Sequence, residues 1–392
     1  MAITNANYWP LGSTIQKVIS LPQSPTIDQN MGIISVNPID GHMVMVYRGG
    51  SSTYNSIGSI YIRYSTDGGA NWSVHTVVKS ESNVDLRNIS GGYDSNGRLF
   101  IFYLRCTSST YISINYIFSD NNGLTWSSTV QLVNHPNYPN QSNAQYWPHG
   151  HIVDAGNDIL YQTWWGVDIN GTYSLYLYKS ADAGVNFLQT DIITTYSNSL
   201  YQLMDSSMVN LGGGCFLVLA RIRNTPNHFR QFKSEDNLVS WTDQGETVFE
   251  SPSGSVSSPP WLSFINLQGD GIVACYYTIV TPNQPISLPG TSNPIPVPPS
   301  LNVVFGLAKD LLNTNSIYNK TGIYGWNTST IKKIYSYSGT NGLGYQSFYH
   351  PLNQFKGIGV CFDYLPFTKA QPRIVFTNTY KMIDDVFGNL DL

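Results

Sequence analysis

The stretch YIRYSTDGGANW (residues 61–72) joins an alternating apolar strand to a tight polar turn that ends on a tryptophan. Its spacing, Ser-x-Asp-x-Gly-x-x-Trp, returns in full or in part in INYIFSDNNGLTW (114–126), LYLYKSADAGVNF (175–187) and FRQFKSEDNLVSW (229–241), where the serines are 54, 61 and 54 residues apart. Two weaker echoes, VVFGLAKD and RIVFTNTY, follow further along the chain. A fixed period of this length predicts an array of structural repeats.

Each repeat has the same succession of β-period segments separated by Gly, Asp and Asn turns, and no helical period is visible. Four strands in six copies predict an all-β fold, a six-bladed β-propeller of four-stranded antiparallel blades, with residues 1–392 as a single domain. The sixth copy lacks its own fourth strand. Because STIQKVIS (13–20) resembles STIKKIYS (329–336), we expect the N-terminal strand to close the last blade.

Composition excludes several classes of protein. Charged residues make up 11% of the chain and the net charge is −4, so a basic nucleic-acid footprint is absent. No apolar run approaches the roughly 18 residues of a membrane span, and no charged-then-apolar secretory leader is visible at the N-terminus. The Tyr-, Ser- and Asn-rich, charge-poor composition favours an extracellular, virion or tail-type surface protein.

The cysteines predict free core thiols and no metal site or cofactor. Four of them recur at nearly the same place in four repeats, without CxxC-type spacing: Cys106, Cys215, Cys275 and Cys361. The His-x-His sequence at 149–151 invites a zinc reading, but the sequence places no third ligand. The Pro-rich stretch 281–300 is interpreted as a long loop inserted in blade five, since the repeat resumes after it.

The repeated turn resembles the Asp box, or BNR repeat, of the sialidase (neuraminidase) superfamily, whose members build six four-stranded blades. The resemblance covers nearly the whole chain and implies that the boxes lie on the rim away from the active face. Asp67, Asn121, Asp182 and Asp236 are therefore expected to be structural. In each turn the carboxylate should accept backbone N–H bonds, the glycine position should have a positive φ, and the aromatic side chain should pack the turn onto its blade.

In such a propeller the starts of the first strands and the ends of the second strands point to one face. The substrate-binding candidates at these positions are Arg48, Arg87, Arg105, Arg221, Arg223, Trp147, Trp164, Tyr277 and Asp363. Arginines, carboxylates and aromatic rings around a shallow cavity suit an oligosaccharide or polysaccharide, because rings stack on sugars while hydroxyls and acids take polar contacts. The alternative is that many of these residues only pack the blades.

The resemblance implies a catalytic set that this chain matches in part. Sialidases use three arginines on the substrate carboxylate, a Tyr–Glu nucleophile pair and an Asp acid/base. Arg221, with Arg223 as an alternative, fits one of the arginines, and Tyr345 in GYQSF (344–348) fits the nucleophile. Asp205 or Ser206 stands where the family has glutamate.

Other members of that set are missing. The segments SPTID (24–28) and SSPPW (257–261) lack the two further arginines that the family has there. Asp28 or Asp85 could serve as the acid/base by proximity alone.

Three functions follow from these residues. The leading one is a glycan-binding propeller whose catalytic set has drifted. The second is an active glycoside hydrolase, which needs two carboxyls about 5–5.5 Å or 6.5–9.5 Å apart and would have to use aspartates, or a polysaccharide lyase with His149 as base beside Arg221 and Tyr201. The third is a protein-interaction propeller that docks through the Pro-rich loop.

Overall fold

The computed structural model describes most of the chain, and the statements below refer to that part. The described residues are 15–20, 28–51, 56–107, 111–132, 145–168, 170–196, 202–222, 228–249, 255–256, 260–266, 271–280, 300–317, 320, 322–336, 343–349, 356–363 and 371–378. The Pro-rich segment 281–299 lies outside them. No helix in the described ranges has the length and apolar character needed to cross a membrane.

The described residues form β-strands and one short helix. The strands of the first half are β1 (Ile15–Ser20), β2 (Asp28–Val36), β3 (Met43–Gly50), β4 (Gly58–Ser65), β5 (Thr76–Lys79), β6 (Asp85–Tyr93), β7 (Leu99–Cys106), β8 (Tyr111–Ser119), β9 (Val130–Gln131), β10 (Gln145–Pro148), β11 (Val153–Asp154), β12 (Leu160–Val167), β13 (Tyr173–Ser180) and β14 (Leu188–Tyr196).

The second half continues in the same manner. Its elements are β15 (Leu203–Gly212), β16 (Cys215–Ile222), β17 (His228–Ser234), β18 (Thr242–Thr247), β19 (Ser255–Val256), β20 (Trp261–Asn266), β21 (Gly271–Val280), β22 (Ser300–Leu307), α1 (Ala308–Leu312), β23 (Asn327–Ser336), β24 (Leu343–Tyr349), β25 (Lys356–Asp363) and β26 (Gln371–Asn378). The sequence did not predict the helix. It follows β22, the third strand of the fifth sheet, and so has the position that a box turn has in each of the first four sheets.

The strands fall into six sheets of consecutive antiparallel neighbours. In chain order the sheets are β2-β3-β4-β5, β6-β7-β8-β9, β10-β12-β13-β14, β15-β16-β17-β18, β19-β21-β22-β23 and β1-β26-β25-β24, with β11 also on β12 and β20 also on β21. Strand β1 pairs with β26, as in Val18 opposite Val375. The all-β propeller class and the N-terminal strand that completes the last sheet are therefore confirmed.

The core lies between neighbouring sheets, which explains why the second strand of each repeat is apolar throughout. Successive side chains of a strand point to opposite faces, so a strand covered on both faces needs apolar residues at every position. In β7, Leu99, Ile101 and Tyr103 enter one apolar cluster. The alternate residues Phe100 and Phe102 enter the next cluster, against the third sheet.

The box turns have the hydrogen bonds expected from their sequence. In the first box, Ser65 Oγ donates to Asp67 Oδ1 at 2.8 Å and accepts from the Gly69 backbone N–H at 2.8 Å. Asp67 also accepts from the Asn71 backbone N–H at 2.9 Å. Trp72 Nε1 donates to the Gly69 carbonyl at 3.0 Å, which fastens the ring to the turn. The same bonds recur in the three later boxes, where the amide oxygen of Asn121 takes the place of the carboxylate in the second box.

The glycine position of the box needs a positive φ. Gly69, Gly123 and Gly184 have φ of 84°, 83° and 81°, and Leu238 keeps φ at 69° in the fourth box. A side chain is rarely tolerated in this region, which explains the preference for glycine. The structural role predicted for the boxes is confirmed by this geometry.

The sheets have two distinct ends. The serines that open the four boxes, Ser65, Ser119, Ser180 and Ser234, mark what we call the box end. At the other end, which we call the site end, the innermost strands begin and the second strands stop. Sheet register separates the two ends: in the first sheet Ser65 pairs with Met43, whereas Asp28 pairs with Gly50.

Three of the four cysteines have described side chains. Cys106 and Cys275 are buried free thiols, and Cys215 is a half-buried one. Cys361 lies in β25, and its side chain falls outside the described part.

Candidate functional site

The innermost strands are irregular near the site end. Register shifts occur between Asn30 and Ile33, between Arg87 and Ser90, and between residues 204 and 206. Asn88 and Asp205 stand in these bulges with φ of 55° and 37°, a region that non-glycine residues seldom adopt. A bulge re-aims the side chains around it, so these positions could not be assigned to a face from strict alternation.

A buried ion pair joins the first two sheets at the site end. Arg48 Nε donates to Asp85 Oδ1 at 2.8 Å, and the two side chains are 0% and 5% exposed. Arg48 also donates to the Ser56 carbonyl at 2.8 Å. The pair leaves no room for even a methyl group at Gly58. The prediction that Arg48 binds substrate is therefore wrong: its guanidinium is enclosed and joins two sheets.

Arg87 shares the same carboxylate but reaches the surface. Its Nε lies 3.5 Å from Asp85 Oδ2 and donates to Cys106 Sγ at 2.9 Å, and its side chain is 21% exposed. Burial, with a further contribution from the Asp85 charge, raises the pKa of the Cys106 thiol although Arg87 opposes the rise. Cys106 therefore remains a neutral thiol that supports Arg87.

Arg105 pairs with a glutamate that the sequence interpretation had not placed in the site. Its Nη2 lies 2.5 Å from Glu81 Oε2, with side-chain exposures of 24% and 22%. Glu81 comes from the connection between β5 and β6, which ends at the site end. The repeat pattern could have placed Glu81 at the site end, because every connection from a fourth strand to the next first strand must return to this end.

A third charged pair lies in the fourth sheet. Arg221 Nη2 lies 2.5 Å from Asp205 Oδ2, and the side chains are 16% and 7% exposed. The pair joins β16 to the bulge of β15 and stands close enough to His149 for both charges to affect its titration. The structure thus brings together Asp205, Arg221 and His149, three residues that the sequence assigned to the site.

His149 is buried and has one defined tautomer. Its Nδ1 lies 2.8 Å from the Ser206 carbonyl oxygen, which can only accept, so Nδ1 carries the proton. Burial lowers the pKa of His149, although the Asp205 charge and the hydrogen bond to Ser206 oppose the change. A neutral imidazole with a free lone pair on Nε2 results, yet the residue is only 8% exposed.

The His149-Gly150-His151 segment crosses the centre of the molecule. Gly150 accepts from the Gly91 N–H at 3.2 Å, and Ile152 donates to the Gly91 carbonyl at 3.2 Å. The rings of His149 and His151 lie 5.0 Å and 4.7 Å from the ring of Trp261, whose side chain comes from the fifth sheet. We call His149, Gly150, His151 and the ring of Trp261 the central plug, and His149, the base of the lyase hypothesis, is enclosed within it.

Of the three aromatic candidates, one has a half-buried ring and two have buried rings. Trp147 is half-buried and stacks on Trp165 with ring centroids 3.9 Å apart. Trp164 is 1% exposed and lies edge-on to Phe102, while Tyr277 is fully buried. The prediction that Trp164 and Tyr277 offer ring faces to a sugar is wrong, because both rings belong to the packing between sheets.

The remaining candidates are placed only by their backbone or not at all. Asp28 begins β2, Tyr345 lies within β24 and Asp363 ends β25. Their side chains, like the whole of Arg223 and Tyr201, lie outside the described part of the chain. Across the described residues no group of three His, Cys, Asp or Glu side chains is arranged to hold a metal ion.

Comparison with known families gives one match. A family model described as "BNR repeat-like domain" matches residues 41–260, which is more than half of the chain and includes all four boxes. No curated protein sequence matches the chain.

Solved structures resemble the whole fold. A protein of unknown function from Dyadobacter fermentans DSM 18053 aligns with a TM-score of 0.69 at 11% identity, covering 93% of this chain and 98% of that one. The sialidase of Trypanosoma rangeli, solved in complex with the inhibitor DANA, aligns with a TM-score of 0.63 at 13% identity over 96% of this chain and 60% of the sialidase.

A leech intramolecular trans-sialidase aligns with a TM-score of 0.61 at 11% identity over 96% of this chain and 72% of that one. The chain thus spans about three fifths of the Trypanosoma rangeli sialidase that it matches. At these identities the likeness shows the fold alone.

Proposed function

Because this chain belongs to the BNR repeat-like domain family, we propose that it is a glycan-recognising, sialidase-like propeller that binds carbohydrate at the site end. Solved sialidases share its fold, which supports a sugar as the ligand. The charge balance also supports this, since the net charge of −4 does not suit a nucleic-acid partner.

One observation carries the proposal: partly exposed arginines at the site end are each held by a carboxylate. Arg87, Arg105 and Arg221 are 21%, 24% and 16% exposed, and their partners fix the direction of each guanidinium. Arginine presents five N–H donors in a rigid fork, so a group anchored on one side still offers donors to sugar hydroxyls or acids. The half-buried ring of Trp147 adds a stacking surface.

The architecture of the whole chain is part of the same proposal. We propose that each of the six sheets is one blade and that residues 1–392 form one closed ring. Contacts between innermost strands support this, since β2 touches β6, β6 touches β10, β11 touches β15, β15 touches β20, β20 touches β24, and β24 touches β2. A closed ring covers the faces of the first and last sheets with each other and leaves only short strand edges exposed.

Recognition without cleavage is the form of the function that the side chains favour. Asp205 is 7% exposed and is held by Arg221, which makes it an orienting group for the arginine. His149 is enclosed against Trp261. Cleavage would need a further group at the site end, such as Asp28, Tyr345 or Glu81, and product analysis decides between the two outcomes.

The test is a glycan-array screen of the full chain, with product analysis of every glycan bound. We expect binding to at least one glycan class without new reducing ends or new double bonds. Arg87→Ala should weaken that binding at least about tenfold, because a hydrogen bond to a charged group is lost. The variant keeps Asp85 paired with Arg48, so the fold should persist.

The matched control is Arg98→Ala at the box end. Arg98 is 24% exposed and pairs with Asp120 at 2.6 Å, so the control removes a comparable paired arginine from the other end. Equal losses in the two variants, or no binding to any glycan, would overturn the proposal and favour a protein partner. Cleavage of a bound glycan would show that the site is an active one.

A further inference from the structure

A cavity of about 400 Å³ opens at the box end of the central axis, opposite the proposed glycan site. It lies among the final residues of the innermost strands: Tyr93 pairs with Leu99, which pairs with Ser119 of the second box. Asp154 has the equivalent position in the third sheet. Residues from four sheets line it, together with Pro38 from the turn between β2 and β3, so the cavity depends on the assembled propeller.

The central plug separates this cavity from the site end. His151 lines the cavity, while its ring packs on Trp261 at 4.7 Å beside His149. A ligand that enters from the box end therefore meets this aromatic contact. The cavity is a second compartment, and its chemistry can be considered independently of the glycan site.

The walls of the cavity are mainly apolar. They include Ile152, Met208, Leu262 and Phe264, with the ring of Tyr93 beside them. The volume lies within the range of roughly 300–1,000 Å³ that small-molecule sites have. An apolar body of one ring or a short branched chain fits such walls, because the burial of apolar surface drives binding without demanding further polar partners.

Two carboxylates of the lining bring negative charge to the cavity. Asp154 accepts the Ser95 and Gly156 backbone N–H groups at 2.8 Å and 2.7 Å. Asp94 accepts the Asn96 and Arg98 backbone N–H groups at 3.0 Å and 2.8 Å. The bond from Ser95 joins the two turns, and of the two residues Asp94 is buried and Asp154 half-buried.

The described lining contains no Lys or Arg side chain, and His151 is its titratable base. The nearby Arg98 directs its side chain away, to Asp120 and to the Ala183 carbonyl, and lies over the Phe118 ring at 4.5 Å. Burial raises the pKa of Asp94 and the charge of Asp154 raises it further, although the backbone N–H bonds from Arg98 and Asn96 and the Arg98 charge oppose the rise.

We propose that this cavity binds a small organic cation, an ammonium group that carries an apolar body. The ammonium group lies between Asp94 and Asp154, and the body packs on Met208, Leu262 and Phe264. The faces of Tyr93 and Phe264 add cation–π attraction, which is strongest where water is excluded. Anionic ligands, sugar acids among them, are disfavoured by the same two carboxylates.

The probe is benzyltrimethylammonium, titrated into the full chain by calorimetry and by NMR chemical shifts. Benzyl alcohol and phenylacetate serve as the neutral and anionic comparisons. We expect saturable binding of the cation at least about tenfold tighter than that of either comparison. Equal binding of the three compounds, or no saturable binding of the cation, overturns the proposal.

Two variants locate the effect. Asp154→Asn removes the charge of Asp154, and because an amide has only one acceptor oxygen it also loses one of the two bonds from Ser95 and Gly156. It should weaken binding of the cation about five- to tenfold. Asp158→Asn removes an exposed charge from the same turn without touching the lining, and it should leave the affinity unchanged. Equal affinities in the wild type and Asp154→Asn overturn the assignment.

Acidification of the wild type provides a check that needs no variant. Because the pKa of Asp94 is raised, its protonation should weaken binding of the cation at a pH above the range of an ordinary aspartate. The other charged or titratable groups around it are Asp154, Arg98 and His151. An affinity that stays constant through this range speaks against the proposal. The glycan screen has no bearing on these outcomes, since the two sites lie at opposite ends.

Discussion

The replacement Asp85→Asn should destabilise this protein far more than one charge on its surface would suggest. Asp85 Oδ1 lies 2.8 Å from Arg48 Nε, and Arg48 is 0% exposed. The amide retains the shape and an acceptor oxygen but removes the negative charge. What remains is a guanidinium that is enclosed between two sheets, with Gly58 packed against it.

The magnitude follows from the burial. Loss of one partner of a buried ion pair costs about 3–5 kcal/mol, because the remaining charge has neither water nor a counter-ion. Arg87 lies 3.5 Å from the other carboxylate oxygen, but it is a cation and cannot neutralise the charge of Arg48. The matched control is Glu81→Gln, which breaks a pair with exposures of 24% and 22% and should cost about 0–1 kcal/mol.

The assay is equilibrium unfolding in urea, followed by tryptophan fluorescence and far-ultraviolet circular dichroism. The midpoint should fall while the slope, which reports the surface exposed on unfolding, stays constant. The double replacement of Arg48→Met with Asp85→Leu should recover most of the loss, since no buried charge then remains. A loss below about 1 kcal/mol in Asp85→Asn, equal to that of Glu81→Gln, would refute the reasoning.

Two further predictions concern packing and pH. Gly184→Ala should destabilise the protein by clearly more than Gly156→Ala: both glycines have positive φ, but only the new methyl group at 184 would overlap the Phe100 ring. Urea midpoints that coincide would show that the ring moves aside without cost. Since burial depresses the pKa of His149 below 6.5, its stabilising contribution is present above that pH and is lost as the pH falls through the depressed value. His149→Asn should flatten this part of the curve of unfolding free energy against pH, and parallel curves would contradict the assignment.

Much of the candidate site could be found from the sequence because the repeat assigns positions. The alignment of the repeats predicted that Arg87, Arg105 and Arg221 lie at one end. The structure places them there, with each side chain partly exposed. It did not predict their partners. Arg105 pairs with Glu81 across 24 residues of chain, and such pairing depends on where a connecting loop returns.

Adjacent tryptophans show the same limit. Trp164 and Trp165 are neighbours in β12 and point to opposite faces, so they enter different clusters between sheets. Both are nearly fully buried, and a half-buried ring is found instead at Trp147, which stacks on Trp165. From the sequence, all three tryptophans were equally good candidates for a ring that stacks on a sugar. Only their burial in the structure distinguishes Trp147 from the other two.

The sequence by itself determined the propeller class, the box turns and the strand that joins the two ends of the chain. The box turns depend on turn chemistry between residues close in sequence, whereas the propeller class and the closing strand follow from the recurrence of one strand pattern along the chain. Tertiary structure alone decided which charges pair, where the innermost strands bulge and which candidate rings are enclosed. Those outcomes depend on contacts between neighbouring sheets, as in Arg48 with Asp85 or His149 with Trp261, whose energies are set by distance and burial and leave no local pattern in the chain.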